Sequence, residues 1–194
     1  VLREACRQMR TWQTRFPANS SLSISVNISS KQFAQPDLVK QVDQILRETG
    51  LDAHSLMLET TESAIMEDTD FATKILQELR DLGVQVHIDD FGTGYSSLSY
   101  LHSLPIDTLK IDRSFVNRLG VNGDGLEIVQ AIMTLAQHLN INVIAEGLET
   151  MAQLAELREM KCKHGQGYLF SKPVDCAAAE ALIVAESHIR LNWK

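Results

Sequence analysis

The chain has 194 residues, 44% of them hydrophobic and 22% charged, with a net charge of −7. That composition supports one ordinary globular core and gives no sign of a second domain. The acidic balance argues against a protein that grips long nucleic acid through a basic excess, but it suits a small anionic ligand held through metal ions.

The chain opens on Val1 inside a helical pattern, with Leu2, Ala5, Cys6, Met9 and Trp12 on one side. A start of this kind is expected of a piece of a longer chain. Short runs rich in Val and Ile then alternate with amphipathic stretches. The expected strands are 23–28, 56–60, 84–89, 108–111, 142–145 and 167–170. They read as near-continuous apolar runs, the pattern of parallel strands buried on both faces. Leu38, Val42, Ile45 and Leu46 share a helical face, as do Phe71, Ile75, Leu79 and Leu82, with Gly83 as the stop. Ile128, Val129, Ile132, Leu135 and Leu139 mark a third helix, and Thr150 with Gln153 forms a capping box for a fourth.

Strand–helix units repeated in this way build a parallel sheet, open or closed. A closed eightfold barrel uses about 30 residues per unit. At that spacing the chain holds about six units of an α/β, TIM-like (β/α)8 barrel, with two units expected upstream. No apolar run approaches the ~20 residues of a membrane span. The three cysteines, Cys6, Cys162 and Cys176, form no CxxC pair and read as buried or partly buried free thiols of a reducing cytosol.

The chemistry-bearing residues cluster where strands end. Asn27 closes the first strand and Glu59 the second. Asp89 and Asp90 close the third, Lys110 and Asp112 stand at the fourth, and Glu146 closes the fifth. Gln166 precedes the sixth expected strand. The C-terminal rim is where catalytic groups of a barrel converge. Carboxylates gathered there repel one another unless a hard divalent cation with oxygen ligands sits among them. Two such ions can activate a water and stabilise a leaving oxygen in phosphodiester hydrolysis, and Lys110 can orient the water or offset developing charge.

Plainer readings exist for each residue alone. Asn27 or Glu59 can be helix caps, Asp89-Asp90 a turn, and Lys110 with Asp112 an ion pair on one strand face. Gly92-Thr93-Gly94 lacks a full phosphate-binding fingerprint. The six histidines show no metal-binding spacing and read as structural or exposed. The coincidence on five successive strands favours a shared site.

Val26-Asn27-Ile28-Ser29, Glu59-Thr60-Thr61-Glu62-Ser63, Asp89-Asp90-Phe91-Gly92-Thr93-Gly94-Tyr95-Ser96-Ser97, Leu104-Pro105-Ile106-Asp107, Leu109-Lys110-Ile111-Asp112, Ala145-Glu146-Gly147-Leu148-Glu149-Thr150 and Gln166-Gly167-Tyr168 follow in order. Together they resemble the EAL domain, the bacterial family that hydrolyses cyclic di-GMP, over essentially the whole chain.

The resemblance implies one domain over residues 1–194, lacking its first two strands and the Glu-Ala-Leu signature. It implies that Asn27, Glu59 and Asp89 hold one metal ion, and that Asp89 and Asp90, with Glu146 nearby, serve a second. Lys110 and Glu146 would position or deprotonate the attacking water. Glu62 would anchor the loop after Asp90, while Asp112, Glu149 and Gln166 would support the site or the substrate. The implied reaction opens cyclic di-GMP to linear pGpG with two Mg2+ or Mn2+ ions. A homodimer through the loop and helix after Asp90, N-terminal regulatory domains and a bacterial cytoplasmic setting, in some members membrane-anchored, are implied as well. The alternative is a catalytically inactive receptor for cyclic di-GMP or a protein-interaction module. The 194 residues alone are expected to be inactive. Lys163 departs from the Asp usual in the family and is expected to disturb local pairing.

Overall fold

The computed structural model describes residues 1–17, 22–93, 101–119 and 125–186. Among them, six strands form one parallel sheet in sequential order. They are β1 (Ile24–Asn27), β2 (Leu56–Thr61), β3 (Gln85–Phe91), β4 (Thr108–Ile111), β5 (Asn142–Glu146) and β6 (His164–Gln166). Sequential parallel order requires a crossover between every pair of neighbours, and a curved half-barrel results. The helices are α1 (Leu2–Arg15), α2 (Ser30–Phe33), α3 (Leu38–Thr49), α4 (Glu62–Met66), α5 (Thr69–Asp81), α6 (Arg113–Val116), α7 (Leu126–Leu139), α8 (Met151–Glu159) and α9 (Cys176–Glu186).

The first five strands fall within two residues of their expected bounds, but the sixth does not. Residues 167–170 turn instead of extending: Phe170 N–H donates to the Gly167 carbonyl and Leu169 N–H to that of Leu148. The strand is His164–Gln166, pairing with Ile144–Glu146. The apolar run Tyr168-Leu169-Phe170 suggested a strand, yet Tyr168 and Phe170 are exposed and only Leu169 packs on the core. Lys163, just before β6, is exposed and leaves the β5–β6 register intact.

The strands also differ from the expected run of uniform apolar residues. Register places Val26, Leu58, Val86, Ile88, Leu109, Ile111, Val143 and Ala145 on the helix-facing side, all buried. Residues of the other parity face inward: Asn27, Glu59, Gln85, His87, Asp89, Thr108, Lys110, Asn142, Glu146 and Gln166, with Met57 and Ile144 among them. Strand period is two, so each face collects its own chemistry. The apolar face packs on Val42 and Leu46 of α3, Ile75, Leu76 and Leu79 of α5, Val129 and Ile132 of α7, and Leu154 and Leu157 of α8. Phe71, Leu82, Ile45, Leu135 and Leu139 join that core partly buried. Ile128, expected on the buried face of α7, is 38% exposed.

Three helix-to-strand turns share one hydrogen-bond plan. After α5, Val84 N–H donates to Leu79 O and Gly83 N–H to Arg80 O, with Gly83 at φ 89°. Ile141 and Asn140 repeat this onto Ala136 and Gln137, and Cys162 and Lys161 onto Leu157 and Arg158. Asn140 (φ 57°) and Lys161 (φ 62°) take the left-handed position that glycine usually fills. Asp107 stitches the same end of the sheet. Its carboxylate accepts from Val86 N–H at 2.8 Å, its N–H donates to Val86 O, and its carbonyl accepts from Asn142 N–H.

Cys6 and Cys162 are buried, and burial pushes both thiols up from their ordinary value. Cys176 is exposed rather than buried, because it opens α9 at the rim of the fold. No described helix is long and apolar enough to cross a membrane.

Candidate active site

Lys110 is the centre of the inner face. Its Nζ lies 2.7 Å from Glu59 Oε2, 2.6 Å from Glu146 Oε1 and 3.1 Å from Asp89 Oδ1. The ammonium has three donors, and three strands each supply one acceptor. Only 3% of the Lys110 side chain is exposed. Burial alone would lower its pKa, but the bonds to Glu146 and Glu59 outweigh that and raise it, so the amine stays charged.

Asp89 and Asp90 are adjacent, and simple alternation would send their side chains to opposite faces. The pairing of β3 with β4 slips between Ile88 and Phe91, and Asp90 has φ 53°. This irregularity turns both carboxylates toward the same region, as a bulge re-aims a side chain. Asp89, Asp90 and Glu146 each offer an oxygen, all within 4.8 Å of one another. The local turn is held by Thr93, whose hydroxyl donates to Asp90 O at 2.8 Å, and by Asp90 N–H bonding Asp89 Oδ1 at 3.1 Å.

Among the other residues expected at the site, Asn27 is the register partner of Glu59 and Gln166 that of Glu146, so they flank the cluster from the outer strands, both exposed. Glu62, buried at the start of α4, accepts from Gly92 N–H at 3.4 Å. Asp112 does not pair with Lys110. It caps α6, accepting from Ser114 N–H at 2.9 Å, and its charge acts on Asp90. An N-cap must turn its carboxylate onto the helix it opens, away from the strand's own lysine. Glu149 is exposed, and its N–H donates to Gln153 in the capping box that opens α8. Gly94, Tyr95, Ser96 and Ser97, and with them most of the loop and helix expected to mediate a dimer, lie outside the described residues.

One residue was missed by the reading of motifs. His87 sits two positions before Asp89 and is the register partner of Glu59, which is the signal that places it on the inner face. It is 2% exposed, with Nδ1 3.9 Å from Glu59 Oε1, and burial holds its imidazole below the ordinary pKa. Gly167, named above only within the Gln166-Gly167-Tyr168 motif, gains a structural reason. A Cβ there would meet the Leu148 carbonyl oxygen at 2.1 Å, so only glycine lets the chain leave β6 beside the loop after Glu146.

The donor set fits hard divalent cations. All offered groups are oxygens, and one ammonium stands against Glu59, Asp89 and Glu146 with Asp90 beside them. Burial, followed by the charges of Asp89 and Asp112, pushes the Asp90 carboxyl above its usual value. Burial does the same to Glu146 in spite of the Lys110 contact. Burial and neighbouring acids both disfavour the charged form of these carboxyls, and a cation bound among them would favour it. A cavity of about 530 Å³ lined by Met133, Gln137, Asn142, Met160, Lys163 and His164 lies at the opposite ends of the strands and includes none of these acids.

Residues 1–173 match the EAL domain. The cyclic di-GMP phosphodiesterase NbdA of Pseudomonas aeruginosa is 46% identical over 185 residues, which is 95% of this chain and 23% of that protein. The chain thus spans about a quarter of the length of such curated relatives. Among solved structures, the PaMucR phosphodiesterase bound to c-di-GMP superposes with a TM-score of 0.87 at 45% identity, covering 92% of this chain and 71% of that one. The Klebsiella pneumoniae BlrP1 complex with manganese and cyclic di-GMP gives a TM-score of 0.76 at 29% identity, covering 89% and 44%. With the family's motifs carried on its half-barrel and its acids gathered at the strand ends, the chain belongs to the EAL domain family.

Proposed function

We propose that this chain supplies the hydrolytic site of a divalent-metal-dependent cyclic di-GMP phosphodiesterase. The observation that supports it most is the convergence of Glu59, Asp89 and Glu146 from three strands on Lys110, with Asp90 bent back toward the same point. The relatives named for this activity, and the c-di-GMP and manganese in neighbouring structures, point the same way.

In this reading Asn27, Glu59 and Asp89 hold one Mg2+ or Mn2+, and Asp89, Asp90 and Glu146 a second. When bound, such ions supply Lewis acidity toward phosphate oxygens and lower the pKa of water. Glu146, with its carboxyl raised by burial, accepts the proton of the attacking water. Lys110 keeps its proton and offsets charge that builds on phosphorus; with cations taking up part of its carboxylate partners, a freed N–H would orient the water. The water oxygen bonds to phosphorus and the P–O3′ bond breaks. The leaving oxygen takes a proton, and one ring opening gives linear pGpG. Glu62 steadies the loop after Asp90, while Asp112, Glu149 and Gln166 support the site or the substrate. A homodimer through that loop, and regulatory domains on the N-terminal side, belong to the same proposal.

The test is turnover by the full-length protein carrying this chain. With Mg2+ or Mn2+ it converts cyclic di-GMP to pGpG, followed chromatographically, and EDTA stops the reaction. Tight binding of cyclic di-GMP without turnover at any Mg2+ or Mn2+ concentration would sink hydrolysis and leave a receptor.

A further inference from the structure

Among the described residues, the buried side-chain nitrogens and oxygens without a hydrogen-bond partner are Thr60 Oγ1 and both ring nitrogens of His87. Thr60 lies on the apolar side of β2, where a β-branched residue fills space. His87 lies on the inner side, among groups that carry charge. A neutral imidazole has one donor and one acceptor, and leaving both unpaired in the interior is costly. Native folds keep such groups where they serve something else.

The geometry around His87 shows what that is. Nδ1 faces Glu59 Oε1 at 3.9 Å, about 1 Å beyond an N–H···O bond. The other oxygen of the same carboxylate, Oε2, is held by Lys110 at 2.7 Å. Glu59 therefore has one oxygen fixed by Lys110 and one that faces the imidazole. His87 and Glu59 are opposite each other on adjacent parallel strands, so their backbones hold the two side chains in fixed register. Closing the gap takes a shift of about 1 Å between the two side chains.

We propose that His87 is a positioning residue: its Nδ1–H fixes the Oε1 oxygen of Glu59 and so sets the orientation in which that carboxylate meets a divalent cation. This rests on the reading of Glu59 as a metal-holding residue. Carboxylates that hold metals are themselves hydrogen-bonded, and loss of such an outer partner typically weakens metal binding by about 10–100-fold. The role requires the tautomer with its proton on Nδ1. It acts through Glu59 and asks for no contact between His87 and substrate.

The experiment measures Mn2+ binding by electron paramagnetic resonance of the free ion, in the full-length protein without substrate. His87→Leu, which keeps bulk and removes both nitrogens, is expected to weaken binding by about 10–100-fold. His87→Asn, whose amide nitrogen reproduces the place of Nδ1, is expected to stay within a few-fold of wild type. His87→Gln reaches toward Nε2 instead and is expected to resemble the leucine variant. Circular dichroism and melting in EDTA report the fold of each variant. Should His87→Leu fail to fold, the contrast between asparagine and glutamine decides. Wild-type affinity in His87→Leu, or equal weakening in asparagine and glutamine, overturns the role of His87. Wild-type affinity in Glu59→Gln, or no Mn2+ binding by the wild type, overturns the metal reading of Glu59 and the role of His87 with it.

Discussion

The two faces of the sheet obey opposite rules, and neighbouring residues show it. Leu109 and Lys110 are consecutive in β4 and both are buried. Leu109 points to the helices and is held by volume and apolar area. Lys110 points inward and is held by three carboxylates. On the outer face any well-fitting apolar side chain serves. On the inner face the requirement is charge in balance, and the acids exceed the one ammonium that meets them. The lesson is that burial alone does not say what a position needs.

Exchanging demands between the faces tests this contrast. Lys110→Met should have the largest effect. It removes the cation from buried Glu59 and from half-buried Asp89 and Glu146, and stability in EDTA should fall by about 3–5 kcal/mol in urea titrations. Added Mg2+ should recover part of that loss, because an ion bound only by the folded state stabilises it. A variant as stable as wild type in EDTA would break the account of the inner face. Leu109→Ala should cost about 2–5 kcal/mol by leaving a cavity. Mg2+ should stabilise it by no more than it stabilises wild type, which denaturant midpoints with and without Mg2+ will show.

Asp107→Ala removes a charged acceptor from Val86 N–H where β3, β4 and β5 are stitched together. A loss of about 1.5–3 kcal/mol is expected in thermal or urea unfolding. Metal affinity of the folded protein should be unchanged, since Asp107 stands at the other end of the strands. Thr60→Val should have the smallest effect. It replaces an unpartnered buried hydroxyl on the apolar face by a methyl group of similar shape. Stability should hold or rise by up to about 1 kcal/mol. A fall of more than that would mean the hydroxyl has a partner, and the division between faces would need redrawing.

The same contrast explains what could be read from the sequence. Leu56, Leu58, Val86, Ile88, Leu109 and Ile111 face the helices and announce β2, β3 and β4 by their chemistry. β6 is His-Gly-Gln, without a single apolar side chain, and the apolar residues after it drew attention to the wrong segment. The acids were legible because they recur at strand ends. That Asp90 turns toward Asp89 was not, because it depends on a register slip and a positive φ at a residue that rarely adopts one. Nor was the partner of Lys110 legible. Spacing within β4 allowed Asp112, whereas the real acceptors come from β2, β3 and β5, at sequence distances no local pattern encodes. His87 was read with the other histidines as structural or exposed, because a lone histidine has no motif; its place on the inner face follows from counting two residues back from Asp89.

The three matching helix-to-strand turns have a consequence for how such a molecule can change. After α5, α7 and α8 the chain reverses into the next strand through the same pair of bonds, with no residue to spare. An insertion or deletion there would break two bonds and rotate the following strand, exchanging its apolar row for its polar one. Among the described residues, the strand-to-helix connections at the other end follow no single plan: Ser29 and Thr150 head capping boxes, whereas Asp112 caps α6 by accepting from Ser114 N–H. Changes of length are therefore expected to cost more on one side of the sheet than on the other, and the less constrained side is the one that carries the acids.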